Sequence, residues 1–252
     1  MTVLLAGTLP ARATITTVTD NFTGSANGGS ATDGLTVSGN ASFAVSSNGN
    51  IVLTLSNTSP ETKSTNELLT GIDFTLSYDG KALTSLTYNS ATAIPVTIAS
   101  TGKYTDGSST SIKNSWATSR SSDNYSLNFL LDNKYAIVGP PDSKTKLYDD
   151  ANSSIYNGNS ATNPFSADSA TFSFSNTLIT NPSELTISNV TFLYDTGCTY
   201  QVGGKLSPVP ERGVTVVFGL GLALACLASH FSIFSKRRGV AGVVELETAG
   251  LS

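Results

Sequence analysis

The sequence predicts an all-β protein: an antiparallel β-sandwich or jelly-roll-like exported domain followed by one C-terminal transmembrane helix. Three observations lead there. Apolar and polar side chains alternate along many short runs, the period of a half-buried strand. Ser, Thr, Asn and Gly supply 36, 34, 19 and 22 of the 252 residues. That mixture disfavours helices, because Ser, Thr and Asn compete for backbone hydrogen bonds and Gly resists ordering. Finally, one nearly uniformly apolar stretch near the C-terminus is long enough to cross a bilayer. Charged residues make up 13% of the chain, about half the share in an average soluble domain. Net charge is −4 with no basic excess, so nucleic-acid binding has no electrostatic support. The apolar 39% is spaced in a pattern, which argues against a disordered chain.

The first element, residues 1–13, reads as a residual or truncated signal peptide. Ala11-Arg12-Ala13 fits an A-x-A cleavage site, but Val3–Leu9 is short and no basic residue precedes it. A true start codon upstream is therefore expected. The exported domain, 14–205, carries nine basic and fifteen acidic residues, a mildly acidic surface. Its first hairpin spans Ser42 to Ser56: Phe43 and Val45 alternate, Asn48-Gly49 suits a type I′ turn, and Ile51, Leu53 and Leu55 alternate again. Ile72, Phe74, Leu76 and Tyr78 share a face and end at Asp79-Gly80, a second hairpin signal leading into Leu83–Tyr88. Ile94, Val96 and Ile98 follow, with Pro95 confining that strand to an edge or a bulge.

Tyr125, Leu127, Phe129 and Leu131 alternate, as do Phe172 and Phe174. Leu185 and Ile187 occupy odd positions, whereas Val190, Phe192 and Tyr194 occupy even ones. That phase slip places a bulge or bend at Ser188-Asn189. The sum is about nine strands, which suits a sandwich. Ser100–Asp123 and Gly139–Ala170 break the rhythm and read as long loops.

Little catalytic chemistry is on offer. The one His, His230, lies in the apolar stretch, so a Ser-His-Asp, Cys-His or zinc site cannot be built in the exported domain. Cys198 is its lone thiol, read as a half-buried small residue, with a free thiol or intermolecular disulfide as the alternative; Cys226 lies in the apolar stretch. Glu61, Glu67 and Glu184 are expected in solvated turns or strand edges. No enzyme activity and no cofactor are expected. Asp142, Asp149 and Asp150, with Asn152, cluster in one loop as weak calcium candidates, without the spacing of a twelve-residue calcium loop. Tyr104, Trp116, Tyr148 and Tyr156 lie in the long loops. They are candidates for glycan contact, with loop anchoring the favoured role. Six Asn-x-Ser/Thr sequons occur, at Asn21, Asn40, Asn57, Asn124, Asn152 and Asn189, as so much Asn, Ser and Thr would produce by chance.

Beyond the domain comes a Pro-rich linker, 206–212, then the apolar stretch 213–234. Its 22 residues hold no acidic or basic side chain except His230. As a helix it would be about 33 Å long, matching the hydrocarbon core. Lys236, Arg237 and Arg238 follow and would stay cytoplasmic, leaving the domain outside. Residues 235–252 form the basic cluster and a short tail.

The order Ser207-Pro208-Val209-Pro210-Glu211, apolar helix, Lys236-Arg237-Arg238 resembles the PEP-CTERM sorting signal. Leu185–Gly197 is similar to the closing strand that often precedes it in exosortase-dependent surface proteins. The resemblance implies cutting near Val209, Pro210 and Glu211 by exosortase, a membrane-embedded cysteine protease. Delivery to the cell surface or extracellular matrix would follow. Arg212 stands where the motif has its second Pro, and Gly239–Ser252 continues past the basic cluster.

The expected function is thus a non-enzymatic, membrane-tethered surface protein with a structural or adhesive role. Its expected partners are the lipid bilayer, exosortase and extracellular polysaccharide. A permanently anchored single-pass protein with an outward carbohydrate- or ligand-binding domain is the alternative. A carboxylate-dependent polysaccharide hydrolase ranks third.

Overall fold

A computed structural model describes residues 16–27, 36–149, 154–157 and 160–207. Among them the regular structure is almost all β-strand, with three single-turn 3₁₀ helices. In chain order the strands are β1 (Thr17–Asn27), β2 (Thr36–Ser46), β3 (Asn50–Asn57), β4 (Leu69–Tyr78) and β5 (Lys81–Ala82). Next come β6 (Thr87–Ile98), β7 (Tyr104–Asp106), β8 (Thr110–Ser111), β9 (Ala117–Ser121) and β10 (Asn124–Asn128). The series ends with β11 (Ile137–Val138), β12 (Phe165–Ser175), β13 (Leu185–Tyr194), β14 (Tyr200–Gly203) and β15 (Lys205–Leu206).

These strands form one hydrogen-bonded network folded into two facing layers. The first runs β15-β1-β2-β3-β12-β6, with β7 and β8 on the outer side of β6. The second runs β14-β13-β4-β10-β9. Two devices join them. β14 bonds to β13 and β15 bonds to β1, so the continuous segment Tyr200–Leu206 changes layers and closes one edge. The change happens at Gly204, where a Cβ would sit 2.9 Å from Val190 Cγ1. β11 links the layers at one end, pairing antiparallel with β4 and parallel with β12. The sheet is therefore mixed, where the sequence pattern predicted a purely antiparallel one. The opposite edge stays open at β9, which pairs only with β10 among the described residues, while β6 carries β7 and β8.

An aromatic line crosses the interior. Phe22 of β1 meets Phe43 edge-on at 5.9 Å, Phe43 meets Phe74 of β4 at 5.2 Å, and Phe74 stacks on Tyr125 of β10 at 5.8 Å. Phe43 is fully buried, which is worth about 1.5–3 kcal/mol in transfer terms.

Most alternation-based assignments place the right residues inside. β2 and β3 pair Phe43 with Leu53 and Val45 with Ile51, but their turn is not type I′. Gly49 alone has positive φ, +82°, and its N–H donates to Ser46 O. That is a type I turn closed by a glycine bulge. A Cβ on Gly49 would lie 2.2 Å from Asn176 O. Asp79-Gly80 does form the type I′ turn, with φ of 50° and 69°. The slip at Ser188-Asn189 is a register shift, with Asn189 at φ 52°.

Other expectations need correction. Ile94 points outward at 47% exposure, because β6 changes phase beside Pro95 and buries Ala91, Ala93, Val96 and Ile98. Leu131 lies past the end of β10 and is exposed. Leu83–Tyr88 is not one strand, since only Lys81–Ala82 pairs and β6 begins at Thr87. The supposed loop Ser100–Asp123 contains β7, β8 and β9. Gly139–Ala170 gives up Phe165–Ala170 to β12. β1, whose pattern was not read as a strand, pairs along its whole length with β2.

Candidate functional site

The outer faces set the character of the molecule. Across the first layer, Asn21, Ser42, Thr54, Thr171, Thr92 and Ser111 stand in register on six successive strands. A second row holds Thr23, Asn40, Ser56 and Ser169. At about 4.8 Å per strand the longer row is about 24 Å wide. Short hydroxyls and amides hydrogen-bond water or sugars without titrating across the physiological range. The alternating polar positions of the sequence carried this signal, but register between distant strands was needed to assemble it.

Charge gathers instead in the loops. Lys63 Nζ bridges Glu61 Oε2 at 2.8 Å and Asp142 Oδ2 at 2.9 Å. Ser143 donates its N–H and hydroxyl to Glu61 Oε1. Asp142 Oδ1 accepts the N–H groups of Lys144 and Thr145, both at 2.8 Å. The Lys63 and Ser143 bonds hold the Glu61 carboxyl down at about 2. The Thr145 amide, Lys63 and the Lys144 amide drive Asp142 far below the usual carboxylate range. Glu61 and Asp142 together raise the Lys63 ammonium. Both partners stay ionised at neutral pH, so this is a clasp tying 140–149 to the segment before β4.

That clasp changes the reading of the calcium candidates. Asp142 already has Lys63 and two amides as partners. Asp149 accepts from the Thr145 hydroxyl. Asp150 and Asn152 lie outside the described residues. No group of three or more His, Cys, Asp or Glu side chains suited to a metal occurs among the described residues.

The four loop aromatics separate into two kinds. Trp116 is 1% exposed, donates Nε1–H to Tyr135 O at 3.1 Å and packs 4.8 Å from Phe172. Tyr148 is 3% exposed and donates its hydroxyl to Gly139 O. Both anchor their loops and offer no face to a glycan. Tyr104 lies edge-on to Tyr148 at 5.1 Å and keeps 38% of its surface exposed. Tyr156 is half-buried against the core. The structure therefore does not bring the four together as one platform.

The carboxylates considered for hydrolysis stand in separate roles. Glu67 is buried at 1%, not solvated as the sequence suggested. Its Oε2 accepts the N–H groups of Lys63 and Ser64, at 2.7 and 3.0 Å, to cap the 3₁₀ turn Thr65–Glu67. Glu61 belongs to the clasp, and Glu184 accepts from Asn181 Nδ2. Asn57, part of one sequon, is also buried. It donates to Glu67 O and Ile137 O and accepts from Ser59 N–H. Cys198 is half-buried in the turn before β14, with its thiol directed at Thr70 O. Burial pushes that thiol's pKa up, which lowers its nucleophilicity at neutral pH.

One cleft was not read from the sequence. It lies on the open edge of the sandwich and holds about 270 Å³, lined by Thr84, Ser85, Leu86, Thr118, Ser119, Arg120 and Tyr125. Arg120 is the only arginine among the described residues, and its guanidinium lies 6.0 Å from the Tyr125 ring centre.

Val209, Pro210 and Glu211, the apolar stretch 213–234, Lys236, Arg237 and Arg238, and the leader-like 1–13 all lie outside the described residues. Among the described residues no helix is long and apolar enough to cross a membrane. A scan against family models matches no family, and searches of curated proteins and of solved structures find no match.

Proposed function

We propose that this chain is an exported, membrane-tethered, non-enzymatic surface protein, sorted by exosortase to the cell surface or extracellular matrix, where it plays a structural or adhesive part. One observation carries the reading: a mostly apolar run of 22 residues, 213–234, lies between Ser207-Pro208-Val209-Pro210-Glu211 and Lys236-Arg237-Arg238. The fold is consistent with it. Ser207 N–H makes a sheet bond to Asn21 O, and Pro208 has no N–H with which to extend the ladder. A protease-sensitive linker beginning there leaves the sandwich intact. The neutral hydroxyl faces suit a hydrated polysaccharide matrix, because their hydrogen bonding does not depend on salt or pH.

Arg212 and the tail Gly239–Ser252 favour a second reading, a permanently anchored protein that displays the same domain without processing. Mass spectrometry of the mature protein separates the two. A C-terminus near Pro210 is expected for sorting, and a tail intact through Ser252 overturns it.

A further inference from the structure

We infer that the cleft on the open edge of the sandwich binds a single carboxylated sugar unit, a uronate, of an acidic extracellular polysaccharide. This deepens the surface-matrix reading and rests on it. The cleft sits between the 84–86 crossover and β9, the last strand of the second layer. Its volume of about 270 Å³ lies near the lower end for small-ligand clefts, suited to one sugar ring.

The lining fits that ligand in three ways. Thr84, Ser85 and Thr118 bring hydroxyls that both donate and accept, as sugar hydroxyls do, with Thr118 on the same face of β9 as Arg120. Arg120 brings the planar donor fork that matches a carboxylate. The Tyr125 hydroxyl donates to Leu83 O at 2.8 Å, which fixes the ring against which the guanidinium rests. Arg120 is also poorly matched inside the protein. Its ion partner Asp123 is 3.7 Å away, beyond hydrogen-bond distance, and 60% exposed. Such a pair is worth little in water and yields readily to an incoming carboxylate. On the first layer's side of the same edge, Lys113 lies 5.7 Å from the Tyr88 ring centre, adding positive charge to an otherwise acidic domain.

Calorimetric titration of the purified full-length chain in detergent micelles tests this with three probes. They are an oligogalacturonate, a neutral oligogalactose of equal length and a poly-glutamate peptide. Oligogalacturonate is expected to bind at micromolar to millimolar concentration and more weakly as salt rises. The neutral sugar and the peptide are expected to bind at least tenfold more weakly. Arg120→Ala should lower oligogalacturonate affinity at least tenfold. Arg120→Lys, which keeps charge but loses the fork, should fall between. Thr118→Val, nearly isosteric, should weaken binding a few-fold without moving the melting temperature, and Lys205→Ala on β15, at the opposite edge of the sandwich, should not weaken it. Equal binding of the neutral sugar or the peptide, unchanged affinity in Arg120→Ala, or no binding at millimolar sugar each overturns the inference. Sorting is read separately from the mature C-terminus, so either idea can fail alone.

Discussion

The aromatic interior and the Glu61–Lys63–Asp142 clasp hold the same chain in unlike ways. Phe22, Phe43, Phe74 and Tyr125 meet across strands that are distant in sequence and exclude water. The clasp ties two loops through ions that remain in contact with solvent, Lys63 being 39% exposed. Non-directional burial sets the stability of the whole sandwich, whereas the ion contacts set only the order of local loops. The two regions should therefore respond differently to mutation, salt and acid.

The sharpest separation comes from truncating the interior. Phe43→Ala removes a fully buried ring and should cost roughly 3–5 kcal/mol, measured by denaturant unfolding. A loss under about 1 kcal/mol would erase the distinction. Next is Asn57→Ala, which takes the donor away from Glu67 O and Ile137 O. Leaving buried carbonyls short of a donor should cost roughly 1–3 kcal/mol, with little change in the slope of the unfolding curve.

Lys63→Met probes the other side. Amide exchange at Ser143, Lys144 and Thr145 should quicken, while the midpoint of global unfolding moves far less than in Phe43→Ala. A global loss as large as that of Phe43→Ala would show that the clasp, too, holds the fold together. Acid should act in the same place. Glu61 is lowered from its ordinary 4.5 to about 2, so its stabilisation is complete above 4.5 and fades as pH falls toward 2. Exchange in 142–145 should rise over that window while the aromatic near-UV signal persists.

The smallest effect has the opposite sign. Burial raises the Asp20 carboxyl, so its ionised form disfavours the fold above that raised value, and the penalty is relieved as pH falls through it. Asp20→Asn should slightly raise the melting temperature at neutral pH, and the gain should vanish in acid.

Where burial is one-sided, the fold was legible. Val52 and Thr54 alternate outward against Leu53 and Leu55 inward, so period two could be read directly. The bulge at Asn189 was visible for the same reason, as a switch of phase. β7 and β9 were not, because their residues are largely exposed on both sides and leave no alternation. β1 was hidden by Gly24, whose inward place is filled by Phe192 from the other layer. Glu67 looked solvated because its neighbours are polar; only the 3₁₀ cap buries it. Arg120 and Tyr125 are paired across β9 and β10, but their cleft also needs Thr84–Leu86. No local spacing announces that meeting.

The most direct test of a displayed, tethered sandwich is to fractionate cells and then treat intact cells with an external protease. The described domain should be found with membrane or surface material and should yield peptides from its loops without lysis. A full-length product recovered in the cytosol and protected from external protease would contradict it.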